Sequence, residues 1–133
     1  MAAPVLVLDA SIGVKWFREE AGSDEALDLL AKHVDGEIVL AVDSLFMYEV
    51  LAVSSREGHA EDVERIWRDL AKVDLAVVPI GDALVSAAAS RRAILGCSLY
   101  DAFSAGLAHL LSAPLCSADQ RAHGSFPDVR FVG

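Results

Sequence analysis

Val5–Leu8 is an unbroken apolar run, Val-Leu-Val-Leu, with no polar alternation. That is the pattern of a strand covered on both faces, as in a parallel sheet packed between helices. Apolar positions then recur at helical spacing over residues 11–20 and again over 23–33, where Ala26, Leu27, Leu30 and Ala31 form the stripe. Ser23 is placed to cap the second of these helices. Residues 37–42 predict a second strand, 44–57 and 60–72 two helices separated by Gly58, and 75–78 a third strand ended by Pro79. Helices over 82–94 and 98–111 follow, with Gly96 between them as a C-cap, then a fourth strand over 114–117 and a short fifth over 129–132.

Strands alternating with one or two helices define an α/β fold with a mostly parallel central sheet of four or five strands. No linker, repeat or low-complexity segment divides the sequence, so residues 1–133 are expected to form one domain. In such sheets ligands bind at the carboxyl ends of the strands, where the strand order reverses. Asp9 and Asp119 each stand directly after a predicted strand.

Composition narrows the picture. Apolar residues make up 54% of the chain and charged ones 23%, which suits a globular core rather than disorder. The longest apolar stretches are cut by Asp43 and Glu49, far short of the roughly 20 residues that cross a bilayer. No membrane association is expected. No basic region precedes an apolar segment of signal-peptide character, so a cytoplasmic location is expected. Cys97 and Cys116 have no partner at metal-binding spacing and read as small buried hydrophobes. The net charge of −9 opposes any broad electrostatic grip on nucleic acid. Four of those charges belong to the candidate site itself, however, and two divalent ions would cancel them. Lys15, Arg18, Arg91, Arg92 and Arg121 are the basic residues nearest the site in sequence, available for phosphate contacts or simply solvated.

The candidate chemistry lies in four carboxylates: Asp9, Glu49, Asp101 and Asp119. Three have a simpler explanation. Asp9 and Asp119 can cap the helices that follow them, and Asp101 stands three residues after Ser98, the spacing of a capping box. Glu49 does not, because Leu45, Phe46, Ala52 and Val53, its helical neighbours, are all apolar. A carboxylate on a buried stripe must be protonated, paired or bound to a cation. All four acids can converge on one crevice, where mutual repulsion favours a hard divalent ion, Mg²⁺ or Mn²⁺. Such ions activate water for in-line displacement at phosphorus, the chemistry of a nuclease. His33, His59, His109 and His123 are scattered without ligand spacing and read as surface or core residues. Trp16 and Trp67 sit on apolar helical faces, where packing or a dimer contact outweighs base stacking.

Asp9-Ala-Ser11 followed by Val14-Lys-Trp-Phe17, then Tyr48-Glu49-Val50, Tyr100-Asp101-Ala102 ahead of Leu107-Ala108, and Ser117-Ala-Asp119 together resemble the PIN-domain family. The nearest match is to the VapC-type toxins of toxin–antitoxin modules. The resemblance spans nearly the whole chain. It implies a compact α/β/α fold, Mg²⁺- or Mn²⁺-dependent endoribonuclease activity on RNA, a homodimer and inhibition by a cognate antitoxin protein. It also implies that Asp9 and Asp101 are the principal metal ligands, Glu49 the third acid and Asp119 a fourth acting through water. Ser11 and Ser117 match the small polar residues that hydrogen-bond this cluster. Ala52 departs from the pattern, since many members carry asparagine there. A haloacid-dehalogenase-like phosphatase would need a second aspartate where Ser11 stands, and a receiver domain would need a lysine late in the chain, beyond Lys72. The alternative from another class is a PIN-like module that binds RNA or protein without cutting.

Overall fold

A computed structural model describes residues 2–124 and 129–133, without the side chains of Arg121 and Ala122. Arg121, named above as a basic neighbour of the site, therefore lies outside the described side chains.

The apolar run Val5–Leu8 forms β1, the middle strand of a five-stranded sheet. The others are β2 (Val39–Asp43), β3 (Ala76–Val78), β4 (Leu115–Ser117) and β5 (Val129–Phe131), in the order β3-β2-β1-β4-β5. Every described pairing is parallel. The absence of alternation in β1 is explained by what covers it. Leu6 and Leu8 pack with Leu40, Val42 and Cys116 on one face, against the helices α1 (Ala10–Val14), α2 (Ser23–Val34), α3 (Ser44–Ser54) and α4 (Ala60–Val73). Val7, Ala41 and Leu115 face the other way, into a second core with α5 (Asp82–Leu95) and α6 (Leu99–Leu110). The result is a three-layer α/β/α arrangement. Among the described residues no single helix is long and apolar enough to cross a membrane.

Two local expectations fail for identifiable reasons. The helix expected over residues 11–20 stops at Val14. There Trp16 and Phe17 turn to tighter bonds with Gly13 O and Val14 O, the Trp16 indole donates to Ala26 O, and Lys15 reaches Glu20 and Ala21 O. Gly13 lets this short helix lie directly on α3, since a Cβ there would meet Phe46 Cζ at 2.5 Å and Val50 Cγ2 at 2.7 Å. Ser23 does not cap α2 but is its first residue, after Gly22 at φ 84°. Its hydroxyl instead donates to Arg18 O and accepts from Glu20 N, which closes the preceding loop. The helix that Asp119 is placed to cap amounts to a single turn, α7 (Gln120–His123).

Cys116 is buried as expected, but Cys97 is only half-buried. Trp16 packs edge-on against Phe46 at 6.0 Å between ring centres, whereas Trp67 is 50% exposed.

Candidate active site

The chain runs from β1 through β2 to β3 on one side, then returns to place β4 and β5 on the other. The order therefore reverses at β1, and the crevice expected from this topology opens at the carboxyl ends of β1 and β4. Asp9 and Asp119 lie at this edge.

Asp9 has extended backbone and caps α1, accepting from Ser11 N at 2.6 Å through Oδ1. Its other oxygen, Oδ2, accepts from Ser117 Oγ at 2.7 Å and stands 2.8 Å from His123 Nε2. Ser11 Oγ accepts from Ala118 N at 2.9 Å, and Ser117 Oγ accepts from Asp119 N at 2.9 Å. The two serines thus stitch the ends of β1 and β4 together around Asp9. Ser98 caps α6 as expected, its Oγ accepting from Asp101 N at 3.1 Å, but the Asp101 carboxylate takes the Ser98 hydroxyl at 2.8 Å through Oδ2 rather than the backbone N–H of a full capping box. Capping and membership of the site are compatible, because a carboxylate oxygen accepts more than one hydrogen bond.

Asp9, Glu49 and Asp101 line one small cavity of about 20 Å³, room for a single water-sized species. A fourth acid joins them there, Asp43, only 5% exposed at the start of α3, where it caps the helix through Phe46 N at 2.9 Å. The cavity adjoins a cleft of about 340 Å³, which Asp9, Glu49 and Asp101 line together with Arg18 and Asp119. Asp119 stands in this outer cleft, exposed, and does not line the inner cavity.

The electrostatics follow from this crowding. Burial, then the charges of Asp9, Asp43 and Asp101, push the Glu49 carboxyl up to about 7. Burial likewise raises Asp43, against its helix-cap bonds to Phe46 and Leu45 and with the charge of Asp9 adding to the rise. Burial also acts on Asp9, but donors from His123, Ser11 N and Ser117 outweigh it and hold the carboxyl below its usual range. One acid is thus kept ionised while its neighbour is pushed toward protonation, the signature of a site short of positive charge. Oxygen donors carrying uncompensated charge fit a hard divalent cation. Among the described residues no three acids already converge at ligand distance, so such an ion would draw the carboxylates inward.

The burial of Glu49 has a different origin from the one its sequence neighbours suggest. Ala52 is exposed, Val53 is 46% exposed, and Glu49 itself is half-buried. Its desolvation comes from the cavity walls formed by Leu45 and Phe46, not from a continuous core stripe. Further along α6, Gly106 lets α5 approach closely, since a Cβ there would meet Ala88 N at 2.7 Å. Lys15 is 6% exposed and tied to Glu20, which withdraws it from phosphate binding. Arg91 and Arg92 line neither acidic cavity, which leaves Arg18 as the described cation at the cleft.

Two residues of the site escaped the sequence reading. Asp43 follows an apolar strand and precedes a helix, as Asp9 does, yet in the sequence it reads as an interruption of an apolar stretch. His123 carried no signal beyond its place four residues after Asp119. His33, by contrast, is structural as expected: its ring bridges Leu40 N to the carbonyls of Val73 and Asp74.

The family model of the PIN domain matches residues 6–131. The chain belongs to the PIN domain family. A comparison with curated proteins gives no match. Solved structures share this PIN fold at low identity. A toxin–antitoxin complex from Klebsiella pneumoniae is 16% identical with a TM-score of 0.73, covering 94% of this chain and 95% of the other. VapBC2 from Rickettsia felis, bound to a DNA fragment from its promoter, is 17% identical with a TM-score of 0.74 over 97% and 99% of the two chains. PAE2754 from Pyrobaculum aerophilum is 22% identical with a TM-score of 0.64 over 99% and 92%.

Proposed function

We propose that this PIN domain is a metal-dependent endoribonuclease and the toxin of a toxin–antitoxin pair. The observation that carries the reading is the meeting of Asp9, Glu49 and Asp101 around one cavity, with Glu49 pushed to about 7 by burial and its acidic neighbours. Asp9 and Asp101 are the principal ligands for Mg²⁺ or Mn²⁺ in this reading, with Glu49 completing the set and Asp119 reaching it through water. Bound there, the ion would supply the Lewis-acid charge that activates a water and offsets the charge developing on the phosphate. Ser11 and Ser117 keep Asp9 in place through the bonds described above. Glu49, pushed up to about 7 by burial and its acidic neighbours, would return to the ionised form beside the cation's charge, as a ligand must. Arg18 at the mouth of the cleft offers the approaching backbone a phosphate contact.

RNA as substrate, an antitoxin protein as partner, a homodimer and a cytoplasmic location belong to the same proposal. The toxin–antitoxin assemblies among the structural relatives support the partner. The match over residues 6–131 supports one nuclease domain across the chain. The purified protein should cut mixed RNA oligonucleotides with Mn²⁺, leave 5′-phosphates and stop with EDTA. Metal-independent cutting, or products ending in cyclic phosphates, would contradict the mechanism.

A further inference from the structure

Of the four histidines, His123 alone is fully buried, at 0% exposure. A buried imidazole is ordinarily satisfied on both nitrogens. Here, among the described residues, Nδ1 has no partner and Nε2 is held 2.8 Å from Asp9 Oδ2. That distance lies within the range of a hydrogen bond to a carboxylate. The ring arrives there on α7, a single turn whose closing bond runs from His123 N to Asp119 O at 3.2 Å. The same turn that begins beside Asp119 therefore ends under Asp9.

A carboxylate offers about four lone-pair positions. Ser117 Oγ and His123 Nε2 both address Oδ2, while among the described residues Oδ1 has only Ser11 N as donor. Two groups on one oxygen fix the rotation of the carboxylate and leave capacity on the other. We propose that His123 is a positioning residue which, with Ser117, locks the Asp9 carboxylate in the orientation that receives a divalent cation. This rests on the metal-dependent reading of the site, and it assigns to α7 a role that the four acids alone do not reveal. Groups that orient a metal ligand through its other atoms typically change metal affinity 10- to 100-fold when removed.

The test is Mn²⁺ binding by the purified chain, measured by calorimetry without RNA, for wild type, His123→Leu and His123→Gln. Leucine fills the buried space without a donor, so thermal stability in EDTA should be kept or raised while Mn²⁺ affinity falls about 10-fold or more. Glutamine restores an N–H donor near the position of Nε2 and should keep affinity within about threefold of wild type. Leucine and wild-type affinities that agree would overturn the inference and leave the nuclease reading standing. Equal losses in folded leucine and glutamine variants would overturn it too. A wild-type protein that binds no Mn²⁺ would remove both. Should the leucine variant fail to fold, the glutamine variant decides, since a folded H123Q that has lost Mn²⁺ contradicts a role for the donor.

Discussion

Asp43 and Glu49 stand six residues apart on one helix end and share one cavity, so the acid that caps α3 is also among the charges that push Glu49 to about 7. The site is therefore a source of instability in the absence of metal. A carboxyl whose folded value is raised contributes stability below its unfolded value, near 4.5, and that contribution is lost as pH rises through about 7. Glu49→Gln should thus leave stability nearly unchanged at pH 4 and raise it at pH 8 in EDTA. After discounting for the exposed half of the side chain, the gain is about 1 kcal/mol. Urea midpoints at the two pH values measure it, and an equal effect at both would contradict the assignment.

Binding should repair the deficit. At a Mn²⁺ concentration about 100 times its Kd the folded state gains about 2.7 kcal/mol, read as a rise in melting temperature. Asp9→Asn should lose most of that rise. Because asparagine caps a helix as well as aspartate does, the variant should fold normally. A wild-type melting temperature indifferent to Mn²⁺ would count against the site.

Asp62, which does not line the cleft, is 1% exposed and receives Arg56 N at 3.0 Å, Nε at 2.7 Å and a terminal guanidinium nitrogen at 3.0 Å. The Arg56 guanidinium, on a largely exposed side chain, holds the Asp62 carboxyl well below the usual carboxylate range. The linkage has the opposite sign from that of Glu49. Stability from Asp62 is present above about pH 4 and is lost as pH falls toward its lowered folded value. Wild type should lose more stability than Asp62→Asn between pH 7 and pH 3, measured by urea unfolding. Parallel losses would show that the pair adds nothing.

Two of the close-packed glycines, Gly13 and Gly106, give a structural test. A Cβ at Gly106 would press on the backbone of Ala88, with N at 2.7 Å and Cα at 2.9 Å, and backbone cannot rotate away. At Gly13 the obstructions are the side chains of Phe46 and Val50, which can shift. Gly106→Ala should cost about 2–3 kcal/mol and Gly13→Ala less, both within the range of overpacked cores. Chemical denaturation of the two variants settles the order.

Much of this architecture is written in local patterns. The unbroken apolar run of β1 announced a doubly covered strand, and the recurring strand–aspartate–helix junction marked the edge where Asp9 and Asp119 stand. What failed depended on distant partners. The helix begun at Ala10 ends early because Trp16 and Lys15 find carbonyls in the loop and helix beyond it, which no spacing within residues 11–20 encodes. Asp43 stands at the same strand–aspartate–helix junction as Asp9, but its meeting with Glu49 and Asp101 depends on how α3 and α6 pack, which the junction does not encode. The role of His123 depends on a one-turn helix too short for any periodicity, and on β4 pairing with β1.

Cleavage of a labelled RNA with Mn²⁺ by wild type and by Asp9→Asn, side by side and at equal folded concentration, tests the central claim most directly. The account predicts strand scission by wild type and a loss of at least about 100-fold in the variant, since Asp9 would hold the ion that supplies the activating charge. Cleavage absent from both, or equal in both, would contradict it.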